Sequence, residues 1–387
     1  MIQLICPKCQ KVMNTENSTT CPVCGENTPR TYDYSNSDTF LKAEVSRVIL
    51  EKKQRGTAGL TGGLDAVIVN TEPEQQENAV REMLATTGYR HRGIFEHDGN
   101  HTSVLQCDGS ADFWFRSRLA ADNPFRKYNL FPKSKHLPNT RLEILVFRCH
   151  DLASYVRIQK DRGVDFMTGI QDMGTFRFIQ TVPLVTTGTS IGMIQWKETP
   201  GVYSFSGNSR TILDKPDWPH LHNIGRLDHA ALRVRAEDRD QTIVEFMELT
   251  NYHFDFAIYV KLFNSITHVT RLSDKDFAMV FTSGISPYIS EEESGPTEKF
   301  IHHYGTRVHH LAFDTRRIES TFDALKSRGM EFLIELVGSP EEGLKQTFTQ
   351  PSPHTLLVNE YIHRYGGFDG FFTRSNVTRL TESTGRQ

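Results

Sequence analysis

No run of apolar residues in this 387-residue chain approaches the ~20 needed to cross a bilayer. The start, Met1 to Cys6, lacks the charged opening and long apolar stretch of a secretory signal, so the expected compartment is the cytoplasm. Charge of one sign is not in excess: 44 basic against 47 acidic side chains leave a net charge of −3. A bulk polyanion binder is thereby excluded, and neither nucleic acid nor membrane is expected as a partner. Tryptophan is scarce, at 3 residues, and so is cysteine, at 6. Without a secretory signal, disulfides are not expected. What the chain does have is 37% hydrophobic and 24% charged residues, the balance of a folded protein with a sizeable core. It also has 16 His, enough imidazole to make metal chemistry worth searching for. Its length suggests two domains plus smaller parts, at roughly 150 residues per domain.

Four of the cysteines fall in two C-x-x-C knuckles, Cys6–Cys9 and Cys21–Cys24, separated by eleven residues. Each knuckle can turn two thiolates toward one ion, and two knuckles complete a tetrahedral sulfur site suited to Zn²⁺. So short a segment cannot bury a core, so the metal would supply the folding energy. The pattern resembles a zinc ribbon over residues 1–30. Four thiolates leave no open coordination position, so the zinc is expected to be structural. A protein partner or a second copy of the chain remains open as what the ribbon would meet. Residues 31–63 read as a linker with a helix, its apolar positions Leu41, Val45, Val48 and Ile49 at helical spacing. Lys52, Lys53 and Arg55 stand at its end, where the dipole favours cations, and are expected on a solvated face.

The most informative feature is an internal duplication. Leu64 to Tyr89 and Leu227 to Tyr252 are both 26 residues long, opening Leu-Asp-Ala and Leu-Asp-His. Leu142 to Phe166 and Val308 to Phe332 are both 25 residues long and end on similar Lys-x-Arg-Gly-x-x-Phe runs. Each stretch reads as strand, amphipathic helix, stop, next strand. Gly163 and Gly329 sit where a left-handed residue ends a helix. The expected fold is α+β: tandem βαβββ modules forming two half-barrel domains, at 64–215 and 225–380, preceded by the small zinc ribbon. Lys215 to Pro219 is a proline-rich boundary between the halves. This architecture resembles the vicinal oxygen chelate superfamily, whose half-barrels form cups that can hold a metal.

The duplication supplies a control. His229, His310 and Glu360 stand at strand positions of the second half. Matching the opening motifs sets Ala66 against His229, and an offset of 166 sets Ile144 against His310 and Ile194 against Glu360. Three potential ligands thus disappear together in the first half, which a purely structural role does not require. Two imidazoles and one carboxylate are the facial triad of non-haem Fe(II) oxygenases, with positions left open for substrate and O₂. Strand alternation puts His309 on the opposite face from His310.

Here the chain resembles 4-hydroxyphenylpyruvate dioxygenases. Leu227-Asp228-His229 matches the strand of the family's first ligand. Val308-His309-His310-Leu311-Ala312 matches Val-Gln-His-Ile-Ala, and Asn359 to Arg364 matches Phe-Glu-Ile-Ile-Gln-Arg. The resemblance implies Fe(II) held by His229, His310 and Glu360, a 2-oxo acid and O₂ as co-substrates, and decarboxylation coupled to oxygenation. In the family, 4-hydroxyphenylpyruvate becomes homogentisate, a step of tyrosine catabolism. Leu262 to Ser265 resembles Gly-Leu-Asn-Ser, and Gln346 to Pro351 resembles Gln-Ile-Phe-Thr-Lys-Pro. Gly370 to Asn376 resembles the terminal Gly-Phe-Gly-x-Gly-Asn-Phe. These matches imply substrate contacts at Ser265, Gln346, Phe372 and Asn376. The chain departs from the family at Ser283 to Pro287, where Ile285 replaces an asparagine of the substrate pocket, so a less polar acid such as phenylpyruvate is expected to gain. An extradiol catechol dioxygenase and a non-enzymatic metal- or ligand-binding protein are the rival readings.

Overall fold

A computed structural model describes residues 38–118, 122–205, 212–368 and 370–387, the Arg386 side chain excepted, and three short N-terminal strands. Those strands, β1 (Gln3–Ile5), β2 (Val12–Met13) and β3 (Thr31–Tyr32), pair in the order β2-β1-β3. Cys6, Cys9, Cys21 and Cys24, and with them the expected zinc site, lie outside the described residues.

The rest is two copies of one design. In the first, β4 (Thr61–Asn70), α2 (Gln76–Thr86), β5 (Arg90–His97), β6 (Asn100–Gln106) and β7 (Asp112–Arg118) form one βαβββ module. A second follows: β8 (Arg141–Cys149), α3 (Leu152–Asp161), β9 (Gln171–Asp172), β10 (Phe176–Gln180) and β11 (Ser190–Trp196). The second half begins β12 (Ile224–Arg233), α4 (Arg239–Leu249), β13 (His253–Val260), β14 (Ser265–Arg271) and β15 (Ala278–Ser283). After α5 (Pro296–Tyr304) come β16 (Arg307–Thr315), α6 (Ile318–Ser327), β17 (Val337–Ser339), β18 (Leu344–Phe348) and β19 (Val358–Arg364), and α7 (Arg374–Ser383) ends the fold. Each half is an eight-stranded curled sheet with the same order, β5-β6-β7-β4-β8-β11-β10-β9 and β13-β14-β15-β12-β16-β19-β18-β17. The fold class expected from the duplication is the one observed.

The repeat extends to irregularities. Every β4–β8 pair maps onto a β12–β16 pair with offsets of 163 and 166 residues, and the three register shifts fall at the same places. Beyond that the copies drift. Ser190 pairs with Ile144 while Val358 pairs with His310, so the last strands are offset by 168 rather than 166. The two extra residues fall between Phe332 and Leu344, since Phe332 still lies 166 beyond Phe166. The structural counterpart of Glu360 is therefore Gly192, not Ile194.

Helices cover the outer faces of both sheets, and the halves share one core. Phe147 packs edge-on against Phe246 and Tyr252 from the other half. Two buried arginines at equivalent positions cross the boundary: Arg141 Nη2 donates to Thr306 O (3.0 Å) and Arg307 Nη2 to Thr140 O (2.9 Å). The 17-residue helix α1 (Thr39–Arg55) ends on a left-handed Gly56. It is no loose connector, because it packs on α4 through Leu41 and Val48, and Arg47 pairs with Glu248 at 2.9 Å. Lys53 and Arg55 are exposed as expected, but Lys52 is buried and donates to Thr250 O. No helix among the described residues is long and apolar enough to cross a membrane.

Candidate metal centre

Three neighbouring strands build the site. In register, His229 of β12 lies beside Ala312 of β16, which lies beside Glu360 of β19; His310 is two residues along from Ala312. The small Ala312 leaves the space that the flanking side chains fill. His229 Nε2 stands 3.1 Å and His310 Nε2 3.3 Å from Glu360 Oε2. All three ligand atoms lie within 4.8 Å of one another, and among the described residues this is the one such group of His, Cys, Asp or Glu. The equivalent first-half positions, Ala66, Ile144 and Gly192, carry no ligand atoms. A Cβ at Gly192 would stand 2.9 Å from Ile144 and 3.1 Å from Val146 and Phe178. Trp114, Phe176 and Tyr203 help fill that cup.

Asp228 sits at a bulge of β12 and turns its carboxylate to the back of the site. Its Oδ1 accepts from His229 Nδ1 at 2.8 Å, and Arg364 grips both its oxygens, at 2.6 and 3.0 Å. Burial pushes the Asp228 carboxyl up, but the contacts with His229 and Arg364 outweigh it and hold the group well below the usual carboxylate range. With Nδ1 committed as donor, His229 presents a bare Nε2 lone pair to a carboxylate oxygen. Two acceptors 3.1 Å apart require a cation between them, a proton or a metal ion. Burial favours the neutral ring, yet Glu360 and Asp228 raise His229 to about 9. His310 goes the other way, held low by burial and by the neighbouring His309, His229 and Arg233.

The outer contacts separate the four expected substrate residues. Gln346 donates its amide to Glu360 Oε1 and borders a small cavity of about 50 Å³ that His310 and Glu360 also border. Ser265 and Phe372 border it too, whereas Asn376 does not: its Nδ2 donates to Gln346 Oε1 at 3.0 Å and sets the Gln346 amide from behind. Phe371 and Phe372 stand edge-on to His229 with centroids at 5.6 and 5.1 Å, and Phe348 lies 4.7 Å from His310. Larger cavities of about 280 and 380 Å³ lie between the halves, but neither assembles a set of metal ligands.

Two expectations fail here. His309 is not on the far face from His310. Ala231 pairs with His310 and Leu232 with Val308, so His309 is the unpaired residue of a β-bulge, where alternation is suspended. Its Nδ1 lies 2.8 Å from His310 Nδ1, and Phe300 packs edge-on to its ring. In the first half the same bulge carries Glu143, buried and held by Arg116 and Arg118. Ile285 does not enter the cavity either; the loop turns it away, its N–H bonded to Asn264 O. Among the residues that do border it, and that the sequence reading missed, is Arg233. Burial lowers its pKa to about 9, so it is charged at neutral pH. Asp228 and Arg364 were missed as well, although both stand inside the motifs that identified the ligands.

No family model matches the chain, and no curated protein matches it. Solved structures do. A mutant of 4-hydroxymandelate synthase from Streptomyces coelicolor aligns with a TM-score of 0.62 at 16% identity, over 84% of this chain and 98% of that one. A xylose isomerase-like TIM barrel/4-hydroxyphenylpyruvate dioxygenase fusion protein aligns with a TM-score of 0.57 at 13% identity. That match covers 89% of this chain and 57% of the longer fusion. At such identities the likeness establishes the fold, that of the vicinal oxygen chelate modules.

Proposed function

We propose that the protein is an iron(II)-dependent dioxygenase acting on a 2-oxo acid. The observation that carries the reading is the convergence of His229 Nε2, His310 Nε2 and Glu360 Oε2, buried, in one half of a duplicated fold, with no such group among the described residues of the other. Two nitrogens and one oxygen suit iron(II) and leave positions open. Iron bound there supplies the redox chemistry that O₂ and a decarboxylating 2-oxo acid require.

The chain's own residues hold and screen that chemistry. Asp228, fixed by Arg364, keeps His229 in the tautomer whose Nε2 is free to ligate. Gln346 engages the Glu360 oxygen that does not face the imidazoles, and Asn376 fixes Gln346. Phe348, Phe371 and Phe372 exclude water from the imidazole edges. Ser265 and Gln346 supply polar contacts for the substrate, and Phe372 an apolar wall. An aromatic 2-oxo acid is the substrate the family resemblance offers: 4-hydroxyphenylpyruvate plus O₂ would give homogentisate plus CO₂.

The test is oxygen uptake and CO₂ release by Fe(II)-loaded protein over a panel of 2-oxo acids and catechols. One CO₂ per O₂ with a 2-oxo acid is the expected result. Uptake with catechols alone would replace the reading with extradiol ring cleavage, and uptake with neither would leave a binding protein.

A further inference from the structure

Arg233 is a buried charge on the wall of the candidate site. It points into the cup from β12, four residues beyond His229, and is 4% exposed. Its Nη1 is buried without a hydrogen-bond partner. Among the described residues no carboxylate pairs with it; its guanidinium lies over the Phe300 ring at 4.3 Å, and its register neighbour on β16 is another cation, Arg307. The other buried arginines also leave a donor idle, but each makes hydrogen bonds elsewhere: Arg239 pairs with Asp240, and Arg141 and Arg307 are held by oxygens across the boundary between the halves. Arg141 donates to the carbonyls of Tyr128, Thr187 and Thr306, and Arg307 to that of Thr140. A buried cation with an idle donor is costly unless something anionic meets it.

The duplication again supplies the control. The position equivalent to Arg233 is Asn70, whose Nδ2 is satisfied by the carbonyls of Thr71 and Asn139. The arginine therefore occurs only in the half that carries the ligand trio, and it borders the same cavity as His310 and Glu360. Four strand residues separate the Cα atoms of His229 and Arg233 by about 13 Å, with both side chains reaching inward. A ligand held by the trio at one end meets the guanidinium at the other. Thr267, Thr282 and Thr297 border the cavity as well, so its lining is polar as well as aromatic.

We infer that Arg233 recognises a second carboxylate at the far end of the substrate, which makes the preferred substrate a dicarboxylic 2-oxo acid. The inference rests on the dioxygenase reading for the keto-acid end only; the far-end contact stands on Arg233 itself. Where the missing pocket asparagine suggested a less polar acid, Arg233 calls for a more anionic one.

Calorimetric titration of the full-length protein, loaded with Fe(II) without oxygen, tests it. The probes are 2-oxoglutarate and 2-oxopentanoate, which differ only by a carboxylate in place of a methyl. Wild type should bind 2-oxoglutarate at least about tenfold tighter. Arg233→Met should weaken 2-oxoglutarate alone and close that gap, with a thermal melt confirming that it folds, and Arg233→Lys should keep part of the preference. Equal affinity for the two probes in wild type overturns the inference without any variant, as does an unchanged preference in folded Arg233→Met. Glutarate added to metal-free protein separates the two ideas. Arg233-dependent glutarate binding supports the far-end site even if no 2-oxo acid supports oxygen uptake.

Discussion

Glu298 carries a buried charge problem of a simpler kind than the metal centre. It lies in the first turn of α5, 2% exposed, and its Oε1 accepts from the backbone N–H groups of Gly284 and Ala236. Burial, reinforced by Glu237, raises its pKa to about 8 from 4.5. A carboxyl raised on folding holds its proton longer in the native state than in the unfolded one. Stability should therefore fall as pH rises from about 4.5 to about 8, by an amount on the order of 2–4 kcal/mol. Glu298→Gln keeps the accepting oxygen and removes the titration. Urea unfolding at pH 5.5 and 8 should show a smaller decline for Glu298→Gln than for wild type; equal declines would place the effect elsewhere. At the proposed metal centre, His309→Gln should leave iron bound, because His309 has no atom in the trio, whereas His310→Ala should lose it.

At the scale of elements, much was legible because both strand and helix periods survive in each copy. Gly163 and Gly329 illustrate this: the expected left-handed helix ends have φ of +83° and +88°, with nothing within 4 Å of an added Cβ. Alanine there meets no clash, only backbone strain, so each Gly→Ala change should cost about 1 kcal/mol. Lying in separate halves, the two should add in a denaturant series. The trio was legible for a related reason, since each ligand stands where its repeat partner is apolar. What was not legible depends on neighbours rather than on the strand itself. The bulge that turns His309 inward is a mismatch between β12 and β16, and the two-residue drift behind Gly192 accumulates in the loop before β18. Arg233 shows no local signature as a site residue; only its burial on the wall of the cavity that His310 and Glu360 border marks it.

Over the whole molecule, the repeated design places two similar cups back to back and spends them differently. The first is lined by aromatic side chains around Trp114 and keeps a cavity of about 240 Å³ with no ligand trio among the described residues, and the second keeps a smaller one bordered by His310 and Glu360. Arg141 and Arg307 hold the halves together unequally. Arg141 makes four hydrogen bonds, whereas Arg307 among the described residues donates to Thr140 O alone. At about 1 kcal/mol per lost bond, Arg141→Met should destabilise the protein by roughly 2–3 kcal/mol more than Arg307→Met. Equal losses in urea would mean that both act only through packing. For the four N-terminal cysteines a structural zinc is proposed from their spacing; Cys9→Ser with Cys21→Ser should remove one zinc per chain and leave the iron.

The most direct test of the central claim is the iron stoichiometry of the protein loaded with Fe(II) without oxygen, compared with His229→Ala, His310→Ala and Glu360→Ala. The account predicts one iron per chain in wild type and none retained at that site in any of the three, with their unfolding still cooperative. A full equivalent retained by any one of them, or no iron bound by wild type, would contradict it.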